Sequence, residues 1–210
     1  MEFLNVFKKW ADVYDETVFN AHDDNEYKDV FKGYNEMLDK VATLSSGRIL
    51  EIGAGTGNLT ERLLAQHEAV KAIDPSEEMR NIANQKLPQP IQEGHFLDVP
   101  LSHQVDTIVS TFAFHHLKDE QKQEALVYLK QFLAPHGKVI MIDTVFDSLD
   151  SKEQYIKRYL ERGYLNLVED LNTEYYTTVT QMEKIVESLN GHVEWERQND
   201  FAQLMIMTFD

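Results

Sequence analysis

The most chemically loaded stretch of the chain is Glu51-Ile52-Gly53-Ala54-Gly55-Thr56-Gly57-Asn58-Leu59, which follows the apolar run Arg48–Ile52. Glycines at a strand-to-helix turn admit positive φ and let a ligand lie against the backbone. The helix that follows offers unpaired N–H groups. The next apolar run ends in Asp74, 21 residues beyond Gly53, a spacing at which a carboxylate meets ribose hydroxyls. Asn58 stands where a dinucleotide fingerprint has its third glycine, which weighs against a nicotinamide cofactor. A ligand-free tight turn is the bland alternative.

A second chemical candidate is the pair His115-His116, which follows the apolar run Val105–Ser110. An imidazole near its ordinary pKa of about 6.5 suits general-base work. Adjacent side chains at a helix entry point about 100° apart, so the sequence leaves open which one faces a substrate. It equally leaves open whether both simply pack. No metal site is expected: His22 beside Asp23-Asp24 would need distant ligands, and the chain has no cysteine.

The elements that position these residues follow from periodicity. Arg48–Ile52, Ala69–Asp74, Ile91–His95, Val105–Ser110 and Lys138–Asp143 read as short apolar strands covered on both faces. Asn58–Gln66, Ser76–Lys86 and Asp119–Phe132 read as the helices between them, with Ser76 and Asp119 as N-caps and Pro135-His136-Gly137 as a stop. Strand–helix alternation predicts a doubly wound parallel sheet. Near the end, Thr180–Leu189 is a helix, and Val193–Arg197 and Gln203–Phe209 are joined too closely for a crossover, so they pair antiparallel.

Composition narrows the partners. The chain has 210 residues, 36 acidic against 20 basic, for a net charge of −16. Nucleic-acid binding needs cationic surface and is not expected. No apolar run approaches the roughly 20 residues of a membrane span, so no membrane association is expected. Zero cysteines and a start without a basic and apolar leader fit a cytoplasmic protein. The expected assembly is a monomer or homodimer.

Several of these runs together resemble the class I S-adenosylmethionine-dependent methyltransferases. Leu50–Gly57 is similar to the family's first motif and Ala72–Met79 to its second. Gly94–Asp98 is similar to the adenine-contacting segment, Asp106–Leu117 to the fourth strand with its active-site loop, and Leu133–Lys138 to the turn before the fifth. Trp10-Ala11 and Tyr14-Asp15, with the length, most resemble the small bacterial methyltransferases of the YrrT type. The resemblance implies one Rossmann-like domain, a mostly parallel seven-stranded sheet with an antiparallel C-terminal strand. Its core would be residues 45–144 and 178–210, with a helical cap at 1–44 and a helical lid insertion at 145–177.

It also implies S-adenosylmethionine as methyl donor and a small-molecule acceptor, with in-line transfer in which positioning and desolvation do most of the work. Tyr14, Gly53, Ala54, Gly55, Gly57, Pro75 and Ser76 would shape the cofactor cradle. Glu51 would attract the ammonium directly or through water, and Asp74 would take both ribose hydroxyls. Asp98 would accept from the adenine amino group between Met79, Phe96 and Leu97, and carbonyls of Ser110 and Thr111 would face the ammonium. Acceptor contacts would fall to Trp10, Tyr14, Tyr27, Phe31 and Tyr34, and to Tyr155, Tyr159, Tyr164, Tyr175 and Tyr176, unless these only pack the helices. The alternatives are a non-catalytic binder of S-adenosylmethionine or an NAD-dependent oxidoreductase.

Overall fold

The computed structural model describes residues 14–20 and 25–210; Trp10, His22 and the rest of 1–13 and 21–24 lie outside the described residues. Helices α1 (Tyr14–Phe19) and α2 (Tyr34–Leu44) precede strand β1 (Ile49–Ile52). Then come α3 (Asn58–Gln66), β2 (Val70–Asp74), α4 (Glu77–Lys86), β3 (Gln92–Glu93) and β4 (Val105–Thr111). A 3-10 turn at Phe114–His116 leads to α5 (Asp119–Lys130) and β5 (Leu133–Phe146). The chain ends with α6 (Leu149–Glu161), α7 (Leu165–Thr173), β6 (Thr177–Thr178), α8 (Val179–Ser188), β7 (Gly191–Arg197) and β8 (Ala202–Phe209).

The sheet runs β3-β2-β1-β4-β5-β8-β7, with the two-residue β6 on the end of β5. All pairs from β3 to β5 are parallel, and β8 runs antiparallel to both neighbours. Chain order reverses where β4 lies beside β1, and ligands of such sheets sit in the crevice beyond the strand ends there. Every residue of β1 is buried, as a central strand requires. Its alternation splits the core: Leu50 packs with Leu126, Leu129 and Met182 of α5 and α8. Ile49 packs on the other face with Leu38, Val41, Leu59 and Leu63 of α2 and α3.

Three local expectations need correction. The β5 ladder begins at Leu133, not Lys138: Val105 pairs with Leu133 and Thr107 with Lys138, so 134–137 bulge opposite Asp106. Pro135-His136-Gly137 therefore bends within a strand, with His136 at φ 65°. At the start of α5 the N-cap position belongs to Lys118, whose N–H donates to the Gln121 side chain at 3.1 Å. Asp119 is instead the first helical residue and pairs with Lys122 at 3.3 Å. The third strand shrinks to Gln92–Glu93, because residues 95–98 fold into a turn closed by mutual His95 and Asp98 backbone bonds. Ser76 does cap α4, accepting from the Met79 N–H at 3.2 Å.

Beyond β5, helices α6 and α7 pack with Val30, Tyr27 and Phe31 around Phe146 and Phe201. Glu26 closes the start of α7 by accepting from the Asn166 and Leu167 N–H groups at 2.8 and 3.1 Å. Asp29 accepts from Arg162 at 2.7 Å and from the Tyr159 hydroxyl at 2.9 Å. Residues around 26–31 and the 145–177 segment are thus joined by polar contacts as well as by apolar packing.

Candidate active site

A cavity of about 340 Å³ opens at the carboxyl ends of the central strands. Its lining includes Gly53, Ala54, Gly55 and Thr56 from the turn after β1, and Asp74 and Pro75 after β2. Met79, His95, Phe96 and Leu97 add an apolar flank, while Thr111, Phe112, Ala113 and 115–117 follow from β4. Thr144 contributes from β5, and Leu167, Asp170, Leu171 and Glu174 from α7 and its end. Because β2 and β5 lie on opposite sides of the β1–β4 pair, the glycine turn and α7 stand at opposite ends of one space.

The glycine turn has the conformation its residues permit. Gly53, Gly55 and Gly57 have φ of 73°, 55° and 84°. A Cβ on Gly55 would meet nothing within 4 Å, so the backbone faces open cavity there. A Cβ on Gly53 would lie 2.5 Å from Ala113, which presses the turn against the loop after β4. Gly57 points elsewhere: its Cβ position meets Leu87 at 2.7 Å and Ala83 at 3.2 Å, so it serves helix packing rather than the cavity wall.

Asp74 does more than the sequence suggests. It accepts from the Gly55 N–H and the Ser76 N–H, both at 2.8 Å, and so ties the two turns together. Two of the four lone-pair sites of the carboxylate remain for a ligand. Burial raises its pKa to about 6 despite these bonds. Glu51 is almost wholly buried below the turn, accepts from the Thr60 hydroxyl at 2.6 Å, and is not in the cavity wall. Burial raises its pKa to about 8, with a further push from Asp74.

Other expected cofactor residues divide the same way. Tyr14, Ala54, Pro75, Met79, Phe96, Leu97 and Thr111 line the cavity. Ser76 is buried in its capping role, and Asp98 is exposed beyond Leu97, outside the lining. Ser110 also stands outside the lining; its hydroxyl is buried without a hydrogen-bond partner, 3.8 Å from the Cβ position of Gly53. The open face of Gly55 beside the unused lone-pair sites of Asp74 fits a site shaped to receive a polar ligand.

The histidines are separated by their partners. His115 Nδ1 lies 2.6 Å from Asp143, which also accepts from the His115 backbone N–H at 3.0 Å. Burial opposes a charge on this ring, but Asp143 outweighs burial and raises its pKa. The reciprocal effect holds Asp143 below the usual carboxylate range although burial pushes the other way. His116 faces Glu174 at 3.1 Å, and burial together with His115 lowers its pKa. Donor atoms of His115, His116 and Glu174 lie within 4.8 Å of one another, a grouping with metal-ligand chemistry that the sequence reading did not anticipate.

Asp143 was open to the reasoning used for Asp74, since both acids end predicted strands. Asp15 was not: it accepts from Thr56 at 2.5 Å and Asn58 at 2.9 Å across more than forty residues. Of the expected aromatic contacts, Tyr14, Tyr27, Phe31, Tyr34 and Tyr176 line the cavity. Tyr155, Tyr159 and Tyr164 pack in the cluster around Phe201, and Tyr175 is exposed.

Comparison with known proteins agrees with this geometry. Residues 49–137 match a family model described as a methyltransferase domain. An uncharacterized methyltransferase of Staphylococcus carnosus is 46% identical over 97% of this chain and 98% of its own. One from Bacillus licheniformis is 43% identical over 97% and 96%. Among solved structures, the magnesium protoporphyrin IX methyltransferase of Synechocystis PCC 6803 with bound SAM is 14% identical with a TM-score of 0.68, covering 99% and 97% of the chains. The DhpI-SAM-HEP complex reaches 0.72 at 14% identity, over 98% and 95%. The chain belongs to the family of these bacterial methyltransferases, and it shares its fold with methyltransferase structures solved with bound SAM.

Proposed function

We propose that the protein transfers the methyl group of S-adenosylmethionine to a small-molecule acceptor, with the cofactor on the β1–β2 side of the cavity and the acceptor on the α7 side. One observation carries this reading: a single space runs from the Gly53–Gly57 turn and Asp74 to the His115–Asp143 pair. S-adenosylmethionine supplies an already activated methyl group. Asp74 takes the ribose hydroxyls on its two remaining lone-pair sites, and Met79, Phe96 and Leu97 flank the adenine. Asp98 reaches the adenine amino group only from outside the lining, so its role is the weakest of the set. Glu51 lies beneath the turn and outside the cavity wall; with its pKa raised to about 8 by burial it is largely protonated at neutral pH, and it holds Thr60 rather than touching the cofactor.

His115 is the base. Asp143 fixes Nδ1 and leaves Nε2 as the ring atom able to take a proton from an acceptor. The cavity volume suits a metabolite and the charge of −16 disfavours nucleic acid. The test is formation of S-adenosylhomocysteine with a library of small metabolites, alongside RNA, DNA and whole-protein acceptors. Turnover with a small molecule and not with the macromolecules supports the reading; the reverse pattern refutes it.

A further inference from the structure

The acceptor half of the cavity has a distinct charge. Its wall carries Asp170 and Glu174, the Asp143 carboxylate stands directly behind His115, and no lysine or arginine is in the lining among the described residues. Of the cations near it, Lys152 lies over the ring of the lining residue Tyr176, 5.8 Å from its centroid. The fully buried Lys122 donates to the Leu117 carbonyl at 2.6 Å and to the Tyr175 carbonyl, which holds the histidine loop against the segment after α7. Leu167 and Leu171, on the same face of α7 as the acids, and Phe201 make the apolar part of this wall. An anionic acceptor, a carboxylate or phosphate, would meet two carboxylates, with His115, already paired to Asp143, as the group in the lining able to carry positive charge.

Resting on the proposed methyl transfer, we infer that the acceptor is an amine carried on an apolar body, recognised as its ammonium by Asp170 and Glu174 with the apolar body against Leu167, Leu171 and Phe201. The two acids are placed for this by their neighbours: Tyr27 donates its hydroxyl to Asp170, and Glu174 sits 3.1 Å from His116 Nδ1. Burial pushes the Asp170 carboxyl up, the direction expected of an acid whose cationic partner is not yet seated.

The chemistry then balances within the site. The ammonium gives one proton to Nε2 of His115, and the freed nitrogen lone pair forms the new N–C bond. The C–S bond breaks with its electron pair going to sulfur, and the product nitrogen keeps the positive charge that the sulfonium loses. Positive charge therefore stays beside Asp170 and Glu174 throughout. An alkoxide or phenolate acceptor would instead bring a negative charge into the same acidic wall.

The test is calorimetry on the full chain with S-adenosylhomocysteine bound, in phosphate buffer with a chelator present. The probes are phenethylamine, 2-phenylethanol and phenylacetate, which share one body and differ only in the polar group. The inference expects phenethylamine to bind at least about tenfold more tightly than the other two. Asp170→Asn and Glu174→Gln, which keep the acceptor atoms that Tyr27 and His116 use, should each weaken it about tenfold, the scale of a lost charge-assisted contact. Affinity for S-adenosylhomocysteine should stay unchanged in both variants. Tighter or equal binding of the alcohol or the acid, no binding of the amine at millimolar concentration, or indifference to both substitutions overturns the inference. If S-adenosylhomocysteine itself fails to bind, the methyl-transfer reading falls first.

Discussion

Asp74 illustrates how one side chain can serve the fold and the ligand together. Removing it would strip the two ribose contacts proposed for it, and losing hydrogen bonds to a charged acceptor costs about 1.5–3 kcal/mol, or 10–100-fold in affinity. Asp74→Ala should therefore weaken S-adenosylmethionine binding by that factor. It should also speed amide exchange at Gly55 and Ser76, whose N–H groups it now holds. Unchanged affinity by calorimetry contradicts the ribose assignment. Gly55→Val should abolish binding more completely, since its Cβ enters open cavity at φ 55°, a conformation that β-branched residues avoid. His115→Ala should keep cofactor affinity within about threefold while lowering turnover 10²–10⁴-fold. Asp143 raises the His115 pKa; with the neutral ring as the proposed base, activity should rise with pH through a value above the ordinary 6.5. Asp143→Asn should move that limb to lower pH. A limb that stays in place assigns the titration to another group.

Among the elements, the glycine turn was legible because its residues are consecutive and its geometry is local. The same holds for Asp74 at the end of β2 and for the helix capped by Ser76. What the sequence concealed lies across long separations. Asp15 reaches Thr56 and Asn58, Glu174 meets His116 over 58 residues, and Glu26 caps a helix 140 residues on. Such contacts form only when the tertiary fold brings segments together, and no period or cap in the sequence encodes them. The pairing of residues 26–31 with α6 and α7 leads to a prediction about motion. Tyr27, Val30, Phe31 and α7 line the proposed acceptor end of the cavity, α6 packs behind them, and ligand exchange there is expected to displace them. Hydrogen exchange should be faster in α6 and α7 than in β1 without ligand, and should slow when S-adenosylhomocysteine is added. Equal protection with no response to ligand counts against an opening roof.

For the molecule as a whole, buried acids link stability to pH. A carboxyl whose pKa rises on folding favours the folded state at low pH and loses that contribution as pH climbs through its folded value. Glu51 moves from 4.5 to about 8 and Asp74 from 3.8 to about 6. The ligand-free melting temperature should accordingly fall between about pH 4 and pH 8. Glu51→Gln, which keeps an acceptor for Thr60, should flatten the upper part of that slope and melt above the wild type at alkaline pH. Thermal denaturation across a pH series decides this. Binding runs in the opposite direction: ribose hydroxyls favour the ionised Asp74, so cofactor affinity should increase as pH rises through about 6. A crystal structure with S-adenosylhomocysteine decides whether one cavity seats the cofactor at the glycine turn and presents its reactive end to His115. Ribose hydroxyls should lie on the Asp74 carboxylate, adenine between Met79 and Leu97, and the sulfur should point toward His115. A ligand found with its ribose away from Asp74, or its sulfur turned from the His115 loop, would contradict this arrangement.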